Sequence, residues 1–380
     1  MTNKVFFCAI VIILFMQSLF LFASQENSTD LNVKKPAYKY MGLYCTVRDT
    51  EKETIDFIDK CKSYNIDCLI PSLSGGGTVI WATDKADYYP SLKEKFDSGY
   101  DALTVFIKYA HKAGIKVYPS VAICPEQKML QEHPEWETLD RKGRSSSATT
   151  AKAISLAYPE ARKAKINVIM DLANNYNVDG ILLDYCRFPE NSTTEEQRYG
   201  FYGYDKPLID ACISIYGFDP REEDINSQKW NIFNQMRQDC ITTFVSEFRA
   251  ALKKSEKNIR LGGFGDTDPE LEAKSCGRNY AQWGQKGLID DLFIGIYPDK
   301  ISQMRDIVKN VRSAIGPNVC LYSSLSPFNN FIKTNEEMVK AAEQQLLGGS
   351  DRVWIYRDDF LIKLNLWDGA RSAGELSSKK

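Results

Sequence analysis

The chain has 380 residues, of which 43% are hydrophobic and 26% are charged, the balance of a globular protein with ample material for a core. Its formal net charge of −2 gives no basis for binding nucleic acid or an anionic membrane. Only two histidines occur, which excludes histidine-rich zinc sites and a convincing Ser-His-Asp triad. We therefore expect no metal and no cofactor, and we expect carboxylates to perform any acid–base chemistry.

The N-terminus has the pattern of an export signal. Lys4 precedes an apolar run over residues 5–22, and small residues then lead into a polar stretch. We predict a signal peptide over residues 1–24, a disordered segment over residues 25–37, and a secreted or periplasmic protein. An uncleaved N-terminal anchor is the alternative, because bulky residues stand where cleavage sites prefer small ones. No later stretch is long and apolar enough to span a membrane.

The ten cysteines are scattered along the chain without a Cys-x-x-Cys pair, which argues against zinc and thioredoxin-like sites. Several lie inside apolar runs and are predicted to be small core residues. One or two disulfides are compatible with an exported protein, but the sequence does not choose the pairs.

Short apolar runs alternate with helix-like segments over the rest of the chain, as in parallel strands joined by crossover helices. A capping-box pattern at Thr50 and Glu53 starts the first helix, and a long helix is predicted over residues 230–254. Eight strands are predicted, at residues 40–45, 67–71, 116–121, 180–184, 259–264, 292–296, 319–323 and 352–356.

Eight strands with intervening helices favour a single (β/α)8 TIM barrel over residues 38–370, with a polar tail at residues 371–380. A doubly wound dinucleotide fold fits less well, because no glycine fingerprint follows the first strand. Three long loops, at residues 71–97, 124–158 and 185–228, each follow a strand. Such loops belong to the C-terminal face of a barrel, so they predict a thick-walled substrate cleft there.

Residues 178–189, Val-Asp-Gly-Ile-Leu-Leu-Asp-Tyr-Cys-Arg-Phe-Pro, carry the strongest local signal for chemistry. An apolar strand ends there at Asp184, and an acid at that end of a barrel strand faces the mouth of the pocket. The functional interpretation makes Asp184 a nucleophile or general base in sugar chemistry. The structural alternative is a buried ion pair with Arg187 that fastens the loop.

This segment resembles the signature of glycosyl-hydrolase-like family 10, exported bacterial barrel proteins with a D-G-I-x-x-D-Y-x-R-[FY]-P motif. The resemblance covers about residues 38–360, and further motifs agree in order: Gly42-Leu-Tyr, His133-Pro-Glu-Trp, Tyr158-Pro-Glu-Ala-Arg and Gly287-Leu-Ile-Asp. It implies a retaining or inverting glycosidase with Asp184 as the principal carboxylate. Many members read Asp-Asp-Tyr where this chain has Leu183-Asp-Tyr, so the resemblance leaves the second carboxylate unidentified.

Two aspartates are the leading candidates for that second carboxylate. Asp299 follows the sixth predicted strand and Asp266 follows the fifth, the strands after which related barrels place their acid/base. Each also has a structural interpretation, since Asp266 could cap a turn and Asp299 could cap a helix. A carboxylate separation near ~5 Å would predict retention, and ~6.5–9.5 Å would predict inversion.

Several residues near strand ends are candidates for binding a sugar. Tyrosine rings there could stack on sugar rings, Trp81 in the loop after the second strand could form a platform, and Arg187 could bind a hydroxyl or a carboxylate. The triple glycine at residues 75–77 lacks the ending of a phosphate loop and is interpreted as a flexible rim. The predicted substrate-binding residues are Arg187, Tyr185, Tyr44, Tyr297, Trp81 and Tyr356.

The sequence thus predicts an exported glycoside hydrolase that cleaves a cell-wall or environmental polysaccharide. Its partner would be an oligo- or polysaccharide, with no nucleic acid and no membrane beyond the N-terminal signal. The alternative is a non-catalytic carbohydrate-binding barrel that keeps the cleft but lacks a competent pair of acids.

Overall fold

The computed structural model describes residues 34–146, 152–189, 202–297, 300–327 and 332–380. The predicted signal peptide, residues 1–24, lies outside these ranges. Within them, no helix has the length and apolar character needed to cross a membrane.

The fold is a mixed α/β fold built on a curled parallel sheet of nine strands, in the order β6-β2-β1-β12-β11-β10-β9-β8-β7, beside a small sheet of β3, β4 and β5. The strands are β1 (Met41–Cys45), β2 (Ile66–Pro71), β3 (Ser74–Gly75), β4 (Thr78–Val79), β5 (Asp87–Tyr88), β6 (Lys116–Val117), β7 (Ser120–Ala122), β8 (Gly180–Asp184), β9 (Arg260–Gly265), β10 (Asp291–Ile294), β11 (Cys320–Leu325) and β12 (Arg352–Ile355). All eight predicted strands are present, so the prediction of an α/β fold with a parallel sheet is confirmed.

The two strands at the ends of this order, β6 and β7, are consecutive parts of one chain segment. β6 pairs with β2, whereas β7 pairs with β8. The segment breaks at Tyr118 and Pro119, because proline has no N–H to donate to a ladder. The one strand predicted over residues 116–121 is therefore two short strands that pair on opposite sides.

Helices follow most of the strands and cover the outer face of the sheet. They are α1 (Glu51–Ser63), α2 (Pro90–Asp97), α3 (Ala102–Lys112), α4 (Lys128–Glu132), α5 (Pro159–Asn175), α6 (Lys206–Tyr216), α7 (Gln228–Lys254), α8 (Pro269–Cys276), α9 (Tyr280–Gln285), α10 (Met304–Ile315), α11 (Asn335–Leu347), α12 (Asp358–Lys363) and α13 (Trp367–Ser378). The predicted capping box is confirmed, since the Thr50 side chain accepts from the Glu53 N–H and the Glu53 side chain from the Thr50 N–H.

The C-terminal residues are part of the fold rather than a polar tail. Residues 371–378 form the second half of α13, in which Ala373 and Ser377 are fully buried. The helix packs against α11, β12 and β1. Small residues allow this close packing, but they give the segment a polar composition, which is why the sequence suggested a tail.

The side chains inside the curl of the sheet are large and mostly aromatic. They are Tyr38, Cys68, Ile70, Tyr118, Leu182, Phe293, Cys320, Tyr322 and Trp354. The Tyr118 ring fits there because two neighbours have no side chain: a Cβ at Gly180 would lie 2.4 Å from its Cε2, and one at Gly262 would lie 2.9 Å from its hydroxyl. The glycine of the signature, Gly180, is thus needed for packing.

The buried carboxylate of Asp291 pairs with the partly exposed Arg260 beside the same layer. Arg260 Nε donates to Asp291 Oδ2 at 2.7 Å, and the hydroxyls of Tyr118 and Tyr322 donate to the same carboxylate at 2.8 and 2.9 Å. Burial raises the pKa of Asp291, while Arg260 and the two hydroxyls act to lower it. The charge of Asp291 therefore depends on these partners.

The cysteines of the described residues contribute to the core as buried free thiols. The alternative of one or two disulfides is wrong for this part of the chain.

Arg260→Met should lower the free energy of unfolding by about 3–5 kcal/mol, because it leaves a buried carboxylate without its cation. Urea unfolding followed by circular dichroism measures the change. The double variant Arg260→Met/Asp291→Asn should regain part of the loss. Lys52→Met, which breaks an exposed pair with Asp56, is the control and should have almost no effect. Equal losses for Arg260→Met and Lys52→Met would contradict this account.

Candidate active site

Asp184 is the last residue of β8 and lies level with Ala122 of β7. Its side chain is half-buried. The Tyr185 N–H donates to its Oδ1 at 2.7 Å, and Ser120 Oγ lies 3.5 Å from its Oδ2. Burial raises the pKa of Asp184; the hydrogen bond from Tyr185, the charges of Arg278 and Arg187, and the Ser120 hydroxyl oppose that rise. The result is a carboxyl group with donors at both oxygens and a raised pKa.

The backbone turns sharply directly after this carboxylate. Tyr185 has φ of +47°, a left-handed conformation that residues other than glycine rarely adopt. This conformation accompanies the hydrogen bond from the Tyr185 N–H to Asp184, and it leaves the Tyr185 side chain 49% exposed. Strain of this kind is retained where the surrounding structure holds it, often at functional sites.

Three of the tyrosines that the sequence analysis proposed for sugar binding lie near Asp184. The Tyr44 and Tyr356 ring centroids lie 5.3 Å apart, and those of Tyr297 and Tyr356 lie 6.2 Å apart. Burial is the main cause that raises the pKa of each hydroxyl, and the negative charge of Asp184 adds to the rise at all three. The four tyrosines and Asp184 therefore form one cluster, with neutral hydroxyls around the carboxylate.

Of the two candidates for the second acid, the structure describes only Asp266. Asp266 follows β9, the neighbour of β8, and its Oδ1 accepts from the Thr267 N–H at 2.9 Å. Its charge, like that of Asp184, raises the pKa of Tyr297, so both aspartates lie near that ring. Asp299 lies outside the described residues.

Arg187 and Tyr185 line a cavity beside the carboxylate. Arg187 Nη1 donates to the backbone oxygen of Phe188 at 3.3 Å, and its guanidinium lies 5.6 Å from the Tyr185 ring. The carboxylate of Asp184 is thus held by Tyr185 and Ser120, rather than by the Arg187 ion pair of the structural alternative.

The prediction that Trp81 forms an exposed platform is wrong, because its side chain is fully buried in the core. The loop that carries Trp81 is folded around β3, β4 and β5, and the Ala82 N–H donates to the Tyr176 hydroxyl at 2.9 Å. These contacts hold the loop against the end of α5, so the indole packs inward.

Sequence reasoning missed Ser120 and Arg278. Ser120 is buried where β7 begins, and Arg278 is buried in an ion pair with Glu272, 5.8 Å from the Phe264 ring. The positive φ of Gly277 marks the turn that ends α8 just before Arg278. That glycine predicts a turn next to Arg278, whereas nothing near Ser120 in the sequence predicts its contact with Asp184, which arises only when the strands pair.

In the described ranges, no group of three or more histidine, cysteine, aspartate or glutamate side chains is arranged to hold a metal ion.

The family assignment follows from the match of a family model, described as Glycosyl hydrolase-like 10, to residues 30–337. The match covers most of the chain, so the protein belongs to this family, and the resemblance seen in its motifs is confirmed. An S-layer-related protein from Niallia circulans is 23% identical in an alignment of 211 residues that covers 48% of this chain and 12% of that protein. The chain therefore spans about an eighth of the length of this curated relative.

Solved structures of similar fold include three glycosidases. An α-L-fucosidase isoenzyme 2 from Paenibacillus thiaminolyticus has a TM-score of 0.62 at 14% identity, over 89% of this chain and 49% of that one. The catalytic domain of a β-amylase from Paenibacillus polymyxa has a TM-score of 0.61 at 13% identity, over 90% and 97%. A β-galactosidase from Marinomonas ef1 has a TM-score of 0.59 at 12% identity, over 89% and 59%. At such identities the likeness shows the fold alone.

Ser120→Ala should raise the pKa of Asp184, because the serine hydroxyl near Oδ2 stabilises the ionised form. Carbon-13 NMR of labelled aspartate carboxyl groups measures this, and loss of the signal in Asp184→Asn assigns it. Ser98→Ala is the matched control, since that serine is exposed and bonds to Lys95 O. An unchanged or lowered pKa in Ser120→Ala would count against the contact.

Proposed function

We propose that the protein is an exported glycoside hydrolase that cleaves O-glycosidic bonds of a cell-wall or environmental polysaccharide. The observation that carries the proposal is the half-buried carboxylate of Asp184 at the end of β8, framed by Tyr44, Tyr297 and Tyr356. Barrel enzymes build their active sites at this end of the strands. Membership of a glycosyl-hydrolase-like family supports the class of reaction, and the apolar run at residues 5–22 supports export.

The reaction needs two carboxyl groups with different roles. One gives a proton to the leaving oxygen, and the other attacks the anomeric carbon or activates water. Asp184 takes the second role in this proposal, because the hydrogen bonds from Tyr185 and Ser120 favour its ionised form and oppose the rise in pKa that burial causes. Asp266 is the first candidate for the proton donor, because its charge and that of Asp184 both raise the pKa of Tyr297. Asp299 is the second candidate.

The tyrosine cluster would hold the sugar. Its rings offer apolar faces on which sugar rings stack, and its hydroxyls can exchange hydrogen bonds with sugar hydroxyls. Tyr185 and Arg187 would bind the substrate at the exposed rim, since Tyr185 is 49% exposed and both residues line the neighbouring cavity.

We also propose that the curled sheet closes into the (β/α)8 barrel expected from the sequence. Support comes from the segment of β6 and β7, which bonds to strands on both of its sides. The Tyr118 N–H donates to Leu69 O, and the Leu182 N–H donates to Pro119 O, both at 2.8 Å. Closure would place the C-terminal ends of all the strands around one opening, with Asp184 at its edge.

Leu183 stands where many family members have the first aspartate of Asp-Asp-Tyr, but this difference does not weaken the proposal. Leu183 is fully buried in the layer between sheet and helices, because side chains alternate along a strand. Leu182 and Asp184 face the other way, into the curl. An aspartate at position 183 would therefore point away from the cluster, so its absence removes no acid from the candidate site.

Asp184→Asn should lower the rate of glycan cleavage by about a thousandfold or more, because it removes the ionisable group that acts at the anomeric carbon. A screen of polysaccharides with wild type, read by reducing-end release, first identifies a substrate for the comparison. Asp179→Asn is the matched control, because Asp179 directly precedes β8 and binds Lys116 and His111 at the opposite end of the strand.

Equal cleavage by wild type and Asp184→Asn would refute the role of Asp184. Tight glycan binding by wild type without any cleavage would favour the alternative function, a non-catalytic carbohydrate-binding protein. Loss of cleavage in Asp179→Asn with an unchanged melting temperature would show that the effect is not specific to Asp184.

A further inference from the structure

Exposed lysines are concentrated at one edge of the parallel sheet, the edge at which its strands begin. Helices that connect parallel strands end beside the start of the next strand, so the helix C-termini lie at this edge as well. Helix ends and connections there carry exposed lysines, and we call this set the basic face. Its residues are Lys35, Lys62, Lys112, Lys254, Lys286 and Lys379.

The aspartates at this edge do not cancel the charge of the basic face, because other groups already bind them. Asp290 lies 2.6 Å from Lys34 Nζ, and Asp179 is likewise bound by a lysine and a histidine. Glu256 and Glu375 are exposed at this edge, and they offset only part of the lysine charge. The other aspartates there, bound by arginines or by backbone N–H groups, are Asp67, Asp291 and Asp351.

The opposite edge of the sheet, where Asp184 ends its strand, carries the complementary charge. Helix dipoles favour acids in the first turn of a helix and cations in the last turn, and helices that follow parallel strands point the same way. Exposed acids in such first turns are Glu51, Glu53, Glu160, Glu270 and Glu336. The net charge of −2 is thus the sum of two unlike ends, and it does not exclude that one end binds an anionic surface.

The described part of the chain begins at the basic face. Lys34 Nζ lies 2.6 Å from Asp290 Oδ1, just before β10, and the Lys34 carbonyl accepts from the thiol of Cys320, the first residue of β11, at 3.1 Å. In the sequence, the apolar run at residues 5–22 comes shortly before Lys34. Of the two edges of the sheet, the basic face is therefore the one nearer along the chain to the predicted export signal or anchor.

We propose that the basic face docks on the anionic lipid headgroups of the membrane across which the chain is exported. Each lysine near such a surface strengthens binding about fivefold. Leu347, the last residue of α11, is 56% exposed at the same edge and enters the headgroup region. Docking in this orientation turns the edge with Asp184 away from the membrane. The inference rests on the export that belongs to the proposed function, but not on the hydrolytic activity.

Binding to lipid vesicles tests the proposal. The chain from residue 25 onward is suited to the test, because residues 34–380 form a compact unit of their own. Sedimentation compares its binding to vesicles of phosphatidylcholine alone and to vesicles that also contain phosphatidylglycerol. It should bind the second kind about a hundredfold more tightly at low salt, since several lysines act together. The preference should disappear in about 1 M salt, where the Debye length is about 3 Å.

A quadruple variant of the basic face should lower the affinity for the anionic vesicles about a hundredfold, because it removes four charges that face the lipid. Its substitutions are Lys62→Gln, Lys112→Gln, Lys254→Gln and Lys286→Gln. The matched control removes four exposed lysines from the first turns of helices, has the same net charge and should retain the preference. Its substitutions are Lys52→Gln, Lys93→Gln, Lys206→Gln and Lys229→Gln.

Melting temperatures show whether the variants fold. If the quadruple variant does not fold, the single variants Lys112→Gln and Lys286→Gln replace it, and each should lose about fivefold in affinity.

Equal binding to both kinds of vesicle would overturn the proposal, and so would equal losses in the quadruple variant and its control. Tight binding to soluble polyphosphate without a preference for the phosphatidylglycerol vesicles would assign the face to an anionic polymer and would also overturn it. None of these outcomes depends on glycan cleavage, which the comparison of wild type with Asp184→Asn tests separately.

Discussion

The Tyr118 ring fills the inside of the curled sheet at the point where the chain reaches Pro119 and the strand is broken. Gly180 and Gly262 make room for the ring, and its hydroxyl donates to the buried Asp291. This packing lies at the break that Pro119 causes between β6 and β7, which pair on opposite sides. A larger residue at position 180 would displace the Tyr118 ring and would shift Ser120, where β7 begins to pair with β8. The candidate site therefore depends on the contact between Gly180 and Tyr118.

The restart of the strand sets the geometry around Asp184. Ser120 and Ala122 belong to β7, and both face the interior together with Asp184 because their positions differ by two. The serine supplies a hydroxyl to the carboxylate, while the alanine leaves space that becomes part of the cavity. One short strand thus contributes both a polar contact that influences the pKa of Asp184 and an apolar surface beside it.

The sequence predicted the strands well because apolar runs and turn residues are local signals. The strand over residues 180–184 was predicted with both of its ends correct, so Asp184 is the last residue of its strand, as the sequence indicated. Trp81 was placed wrongly because exposure depends on how a loop folds back, which its composition does not encode. Ser120 and Arg278 were missed because their approach to Asp184 depends on long-range pairing. The C-terminal helix was missed because small residues pack closely without an apolar pattern.

The central claim is that a sugar binds with its anomeric carbon against the carboxyl group at position 184. A crystal structure of Asp184→Asn with a bound oligosaccharide tests it most directly. The introduced amide should lie within about 3–3.5 Å of an anomeric carbon, or of a water molecule that bridges the two, as a near-attack geometry requires. A sugar ring should pack against the tyrosine cluster. An oligosaccharide bound elsewhere on the protein, with position 184 covered by protein atoms, would contradict it.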